Sequence, residues 1–494
     1  MKNKLILNNG SALFYQICSI ISGLILPRLI LINFGSEING LINSITQMLA
    51  FITLLDLGVG SVIQTAFYKP LLNNDYKMIN EIFSDATKYF KYIAYILIGY
   101  IIILILYYGY IDKNNFSFTF TTFLILAISI SSFTQYYFGI CNTILLNADQ
   151  RSFIPTIINI ITLLINTVMT IILMYLNINI QLIKFVSSLI FIFRPICLKL
   201  YIKKKYPFLK NEKNGEYKLA NKWNGMLQHF STVINNSIVP ILLTIFSSYS
   251  VISVFNIYML PITSIKSLLE SLCTGYKSHF GQLYASKQIN KLYNEFIIYE
   301  QLTHFLSIIV FSSLFYTLVP FVKFYTKDIT DTNYVYYLFS NLLSLSIVIY
   351  ALRLPYTTLI FSAGKFKETQ FYCLIECLLN IFISIYAINK FGLNGAVSGT
   401  IISVSYRVFA SVYYISKDII YKKINEFIKQ IIMDVVCCII IIILCSFIRV
   451  NEITLYNVFI YIFKIGFISF IVTFIIFFIS FREFRNFLKK KFNF

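Results

Sequence analysis

Charged side chains recur inside stretches of this chain that are otherwise hydrocarbon. They include Arg28 in LILPRLILINFG, Asp56 in LLDLG, Lys184, Arg194, Lys266 and Glu270 in SIKSLLE, Arg353, Glu376, Arg407 in SYRVF, Asp434 and Lys464. A charge carried to the centre of a bilayer costs roughly 2.5–3.5 kcal/mol on insertion scales, so such groups face protein or water and each marks a site by default. Three of the arginines have a proline within two positions, as Pro27-Arg28, Arg194-Pro195 and Arg353-Leu354-Pro355. Proline frees a helix carbonyl, which is tolerated at membrane depth only where that backbone is buried in protein or lines a cavity. Cations outnumber acids seven to four in this set, so a cavity built from it is positive and suits an anionic ligand.

Each residue also has a plainer reading. Arg28 lies opposite the Tyr15/Ser19/Ser22 stripe on an ideal helix, so only distortion at Pro27 aims it inward, and snorkelling to the interface is the alternative. Lys184, Arg194 and Lys464 read as interfacial or structural. Asp56, Lys266 and Arg407 sit nearer the middle of their segments, where snorkelling is harder, and read as functional. Lys266 and Glu270 are spaced i, i+4 and share one helix face, as a structural pair or as an ion switch. Arg28, Lys266, Arg353 and Arg407 are therefore the candidate ligand-binding cations, and Asp56, Glu270 and Glu376 the candidate coupling acids, with sodium or protons as the coupling ion.

The elements that position these residues are set by composition. Of 494 residues, 58% are hydrophobic and 13% charged, with a mean hydropathy of +0.74. Soluble proteins carry about twice that charged fraction. Apolar stretches long enough to cross a bilayer core of about 30 Å recur along nearly the whole chain. Fourteen spans are predicted, at 11–33, 41–67, 86–111, 117–146, 153–176, 180–202, 224–246, 249–275, 299–322, 334–361, 370–388, 392–416, 430–448 and 455–480. The first is too long, and lacks the small-residue cleavage site, for a signal peptide. With the N-terminus inside, the inside segments hold 27 lysines and arginines and the outside loops hold five, namely Lys113, Lys323, Lys327, Lys390 and Arg449. That asymmetry predicts a multi-pass protein of the cytoplasmic (inner) membrane with both termini cytoplasmic. The net charge of +20 is thus topological, and nucleic acid is not an expected partner. Nine cysteines, none in a CxxC pair, read as small apolar residues rather than metal ligands or disulfides.

An internal repeat organises the spans. YYFGICNTILLNADQ (136–150) lies over ALRLPYTTLIFSAGK (351–365) at a shift of 215, and LLIN (163–166) over CLLN (377–380) at a shift of 214. In both copies a span ends in a small-polar turn and a basic residue, and the next span carries an asparagine, Asn166 or Asn380. The predicted architecture is all-α and polytopic: a lobe of six helices (1–202), an interlobe linker (203–223), a second six-helix lobe (224–416), two added helices (417–480) and a basic tail (481–494). Six spans per copy make the repeats parallel, about an axis along the membrane normal.

Catalysis has little to stand on. The longest outside connection is KFYTKDITDTN (323–333), and the histidines His229, His279 and His304 read as scattered and unpaired. No phosphate-binding lysine loop occurs, and Gly58-Val-Gly60 reads as a close-packing pair.

The chain resembles the polysaccharide (O-antigen unit) flippases of the multidrug/oligosaccharidyl-lipid/polysaccharide (MOP) exporter superfamily. The resemblance rests on PRLILINFGSEINGLINSITQMLAFITLLDLGVG (27–60) and SAGKFKETQFYCLIECLLNIFISIYAINKFGLNGAVSGTIIS (362–403). It implies a MOP-type fold of twelve spans plus two, which moves undecaprenyl-pyrophosphate-linked oligosaccharide from the inner to the outer leaflet for O-antigen, lipopolysaccharide or capsule-type surface polysaccharide. The implied partners are that lipid-linked glycan, membrane lipids and polysaccharide-assembly proteins, with no cofactor and no enzymatic activity. A lipid II flippase or a multidrug exporter of the same superfamily are alternatives, and a membrane glycosyltransferase or polymerase is the alternative from another class.

Overall fold

The computed structural model describes residues 2–56, 58–111, 116–209, 226–448 and 454–492. It is all-helical, in the order α1 (Lys2–Ala50), α2 (Val59–Asn73), α3 (Tyr76–Ile111), α4 (Phe118–Thr134), α5 (Ile140–Ala148), α6 (Phe153–Tyr175), α7 (Ile180–Lys205) and α8 (Met226–Phe246). Then come α9 (Tyr249–Ala285), α10 (Ile289–Tyr325), α11 (Tyr337–Ser362), α12 (Phe366–Phe391), α13 (Ser398–Asp418), α14 (Ile424–Cys445), α15 (Leu455–Ser480) and α16 (Arg482–Phe492).

Twelve helical stretches among the described residues are long and apolar enough to cross a membrane. Two of them, Ile6–Asp56 with 51 residues and Phe366–Asp418 with 53, are far longer than one crossing needs. Each is interrupted. Gly35 breaks α1 at φ 80° and ψ 175°, and a 3₁₀ turn at Gly392–Val397 separates α12 from α13. Counting both as pairs gives the fourteen predicted crossings. In the second turn Gly395 and Gly399 allow α13 to fold back on α12. A Cβ at Gly395 would stand 2.0 Å from the Ala387 carbonyl oxygen, and one at Gly399 would stand 2.1 Å from Ser384 Oγ.

Helices α3 and α10 begin at Tyr76 and Ile289, ten residues before the predicted spans, because hydropathy reports only their lipid-facing part. The span predicted as continuous over 41–67 is broken. A 3₁₀ turn at Phe51–Asp56 leads to Gly58, in the left-handed region at φ 74°, and α2 starts afresh at Val59. The freed backbone groups find partners, as they must at membrane depth. Tyr89 donates its hydroxyl to Leu55 O at 2.9 Å, the Gly60 amide donates to Asp56 Oδ1 at 3.3 Å, and His229 Nε2 lies 3.3 Å from Thr53 O.

The chain divides into two compact units, Met1–Ser237 and Ile238–Phe494. The boundary falls inside α8. Of the predicted linker 203–223, Lys203–Lys205 belong to α7, Tyr206 is buried in the turn that follows, and the stretch from 210 lies outside the described residues. In the first unit α1 packs on α6 and α4 on α7, with a Thr167–Ser22 hydrogen bond (2.9 Å) across the former pair. Arg194 Nε donates to Thr162 Oγ1 at 2.7 Å between α7 and α6. In the second unit α10 packs on α11, α14 and α15, and the amphipathic α16 tucks Phe484 against Phe305 and Phe477.

Left-handed corners repeat between the units. Asn74 and Lys287 (φ 52° and 57°) are 213 residues apart, Gln150 and Gly364 (57° and 71°) 214, and Asn177 and Gly392 (54° and 56°) 215. The middle pair share one capping pattern. Gln150 N bonds Asn147 O and Arg151 N bonds Leu146 O, while Gly364 N bonds Phe361 O and Lys365 N bonds Ile360 O.

The histidines are not unpaired. His279 meets Glu295, and His304, fully buried, holds Asp434 Oδ2 at 2.6 Å through Nδ1. From there a chain of buried polar groups crosses the second unit. His304 Nε2 lies 3.2 Å from the Tyr356 hydroxyl, Tyr356 donates to Glu300 Oε1 at 2.7 Å, and Lys422 pairs with Glu300 Oε2. Gln430 Nε2 donates to Asp434 Oδ1 at 3.0 Å. Partners 130 residues apart in sequence leave no local signature.

Leaving a buried hydrogen-bonding group without its partner is expected to cost about 1–3 kcal/mol. Asp434→Ala should therefore lower the thermal unfolding midpoint of the detergent-purified protein, while Lys464→Gln, on an exposed side chain, should not. Equal midpoints would remove the network from the stability account. Gly399→Val should block the α12–α13 hairpin and deplete folded protein from membranes, whereas Gly10→Val, in open space, should accumulate normally.

Candidate functional site

The strongest convergence of predicted residues is around a residue that the sequence reading did not single out, Tyr350. Helix α11 carries Tyr350 and Arg353 three residues apart on one face, and α9 carries Lys266 and Glu270 four apart. The Lys266 ammonium lies 4.4 Å from the centroid of the Tyr350 ring, and the Arg353 guanidinium carbon lies 4.7 Å from the same centroid. Such contacts contribute about 0.5–2 kcal/mol each, more as water is excluded. The Tyr350 hydroxyl donates to the Glu270 carboxylate. Arg353 Nη1 donates to Glu376 Oε1 at 2.7 Å, so α12 closes the cluster. With aromatics at 17% of the chain, one tyrosine beside an arginine was not a readable signal.

The four charged groups form two cation–carboxylate sets of unequal exposure. Glu376 is buried, the Arg353 side chain keeps 19% of its surface, Lys266 is half-buried and Glu270 is exposed. Arg353 Nε is buried without a hydrogen-bond partner. The guanidinium therefore holds the Glu376 carboxylate through Nη1 while its Nε, shielded from the surface, is left without an acceptor.

Arg407 reaches the same helix one step along. Its Nη1 donates to Thr369 O at 3.2 Å, and it is only 1% exposed, sealed between α13 and α12. In this conformation it touches backbone, not open space.

Arg28 and Asp56 lie in the first unit. Arg28 is half-buried on α1, whose helix runs through Pro27 and breaks only at Gly35. Asp56 sits at the break before α2, close enough to Tyr136, Tyr89 and His229 to interact electrostatically. Its position is matched in the second unit. Asp56 and Glu270 are 214 residues apart, as are Tyr136 and Tyr350, so each unit sets an acid beside a tyrosine at corresponding places.

No protein-family profile matches the chain, and no curated protein matches it in sequence. Solved structures do. The lipid II flippase MurJ in an inward closed conformation aligns with a TM-score of 0.65 at 14% identity, over 96% of this chain and 99% of that one. A multidrug resistance MATE family transporter of the MOP superfamily, inward-facing, aligns with a TM-score of 0.61 at 10% identity, over 80% of this chain and 93% of that one. A MATE transporter in the bent conformation gives 0.55 at 11% identity, over 84% and 96%. The chain is a multi-pass membrane protein with the fold of the MOP-superfamily transporters and flippases.

Proposed function

We propose that this protein is a flippase that carries undecaprenyl-pyrophosphate-linked oligosaccharide units across the cytoplasmic membrane by alternating access, for surface polysaccharide synthesis. Both termini face the cytoplasm in this reading, and polysaccharide-assembly proteins supply and receive the glycan. The observation that supports it most is the cluster around Tyr350, where Arg353 and Lys266 present positive charge within the hydrophobic span of the chain. A glycan headgroup needs such a surface, because each sugar hydroxyl stripped of water and left unpaired costs about 2–7 kcal/mol.

The cycle follows from the pairing. Glu376 and Glu270 stand in for the ligand's charge while the site is empty, on Arg353 and on Tyr350. A proton or sodium ion that neutralises either carboxylate frees the cations for a pyrophosphate, and its release returns them. Asp56 serves the same part in the first unit, at the corresponding position. Arg28 adds positive charge there, and Arg407 holds α13 to α12 through Thr369. The membrane potential supplies about 2.3 kcal/mol per charge per 100 mV to drive the exchange.

Lipid II is the second reading. Its support is that the MurJ alignment extends over 96% of this chain, against 80% for the inward-facing MATE transporter.

Deleting the protein should cause one lipid-linked glycan to accumulate on the cytoplasmic leaflet, and its sugars name the substrate. Arg353→Ala should cut surface glycan by more than about tenfold, equivalent to 1.4 kcal/mol of lost recognition, with the protein still inserted. Arg353→Lys should fall between the two. Normal surface glycan in an Arg353→Ala/Lys266→Ala double variant would sink this assignment, and rescue of a lipid II flippase depletion would favour the second reading.

A further inference from the structure

A cavity of about 440 Å³ opens in the first unit among α3, the π-turn at Gln135–Gly139 that joins α4 to α5, and the end of α7. Lys91, Lys199 and Lys203 line it, and no acidic residue among the described residues does. Asp149, the carboxylate bonded to the lining residue Tyr206, is already engaged, accepting from the Tyr206 hydroxyl at 2.5 Å and from Arg151 Nε at 2.6 Å. Burial first, and then Asp149, push the Tyr206 phenol well above its ordinary range, so it remains the donor in that bond.

Two of the lysines are held against aromatic rings, with no carboxylate partner among the described residues. The Lys91 ammonium lies 5.1 Å from the centroid of the Tyr137 ring, and that of Lys199 lies 5.5 Å from that of Phe138. Both rings belong to the π-turn, a local insertion that proteins use to re-aim side chains at functional sites. Asn142, which also lines the cavity, donates its Nδ2 to the Phe138 carbonyl at 2.8 Å.

An ammonium is a compact, strongly hydrated point charge with three donors and is a common phosphate ligand. The cavity falls within the 300–1,000 Å³ range of small-ligand sites, too small for a whole lipid and large enough for a headgroup. We infer that this cavity binds a phosphate ester, carried either on an anionic membrane lipid or on a soluble molecule. Ile196 and Leu200, exposed on α7 next to Lys199, give the site an apolar flank along which acyl chains can lie, and this favours the lipid. The inference makes no use of the Tyr350 cluster and stands independently of the proposed transport cycle.

The test is native mass spectrometry of the purified full chain from nanodiscs of equal parts phosphatidylglycerol and phosphatidylcholine. The intact protein should retain phosphatidylglycerol over phosphatidylcholine by about tenfold, a difference of 1.4 kcal/mol. Lys91→Gln with Lys199→Gln should abolish that preference, and Lys91→Arg with Lys199→Arg should keep most of it. Lys417→Gln with Lys423→Gln, which removes equal charge from exposed positions, should leave it intact. If the ligand is the soluble ester, glycerol phosphate should raise the melting temperature in phosphatidylcholine nanodiscs, and the Lys91/Lys199 glutamine variant should lose the rise. The inference fails if neither lipid preference nor melting shift is seen, or if the control pair loses binding as much as the pocket pair does.

Discussion

Hydrocarbon offers no water to take up a spare donor or a stray charge, and this constraint governs the whole molecule. The break before α2 shows it, closed by Tyr89 and by the Asp56 side chain. The same rule applies to charge, since Glu300, Lys422, Asp434 and His304 are buried only as one connected set. Among the described residues, Arg353 is the one charged side chain with a buried polar atom left without a partner.

Exchangeable pairing also explains why acids accompany the cations. A bare cluster of lysine and arginine at that depth would cost several kcal/mol per ion with nothing to offset it. The neighbouring carboxylates lower that cost, and in the proposed cycle a polyanion would replace them. Tyr350 joins both halves of the arrangement, with its ring face toward two cations and its hydroxyl toward Glu270.

Much of the fold was legible because bilayer thickness imposes its own length scale on sequence. The fourteen crossings and the repeat offset follow from apolar run length and from turn residues. The break in the second crossing was not legible as such. LLDLGVG reads as helix-compatible grease with two glycines, and only the left-handed Gly58 with its tertiary partners makes it a stop. Of the site, the charged members could be named because charge in grease is rare, but Tyr350 and the His304 network could not. Aromatics are common in this chain, and a histidine becomes a partner of Asp434 only after α10 meets α14. Arg407 reads in the sequence as a ligand-binding cation near mid-span, and its seal against α12 through the Thr369 carbonyl has no local signature.

The matched corners of the two units carry one unequal position. At the 214-residue offset that aligns Asp56 with Glu270, Gly139 stands where the second unit has Arg353. A side chain at 139 would begin 2.7 Å from Gln135 Oε1 and 3.3 Å from Pro195 Cβ, so any residue larger than glycine there would have to displace the Gln135 side chain and press on α7. The two units therefore agree in their acid and their tyrosine and differ in the cation beside them.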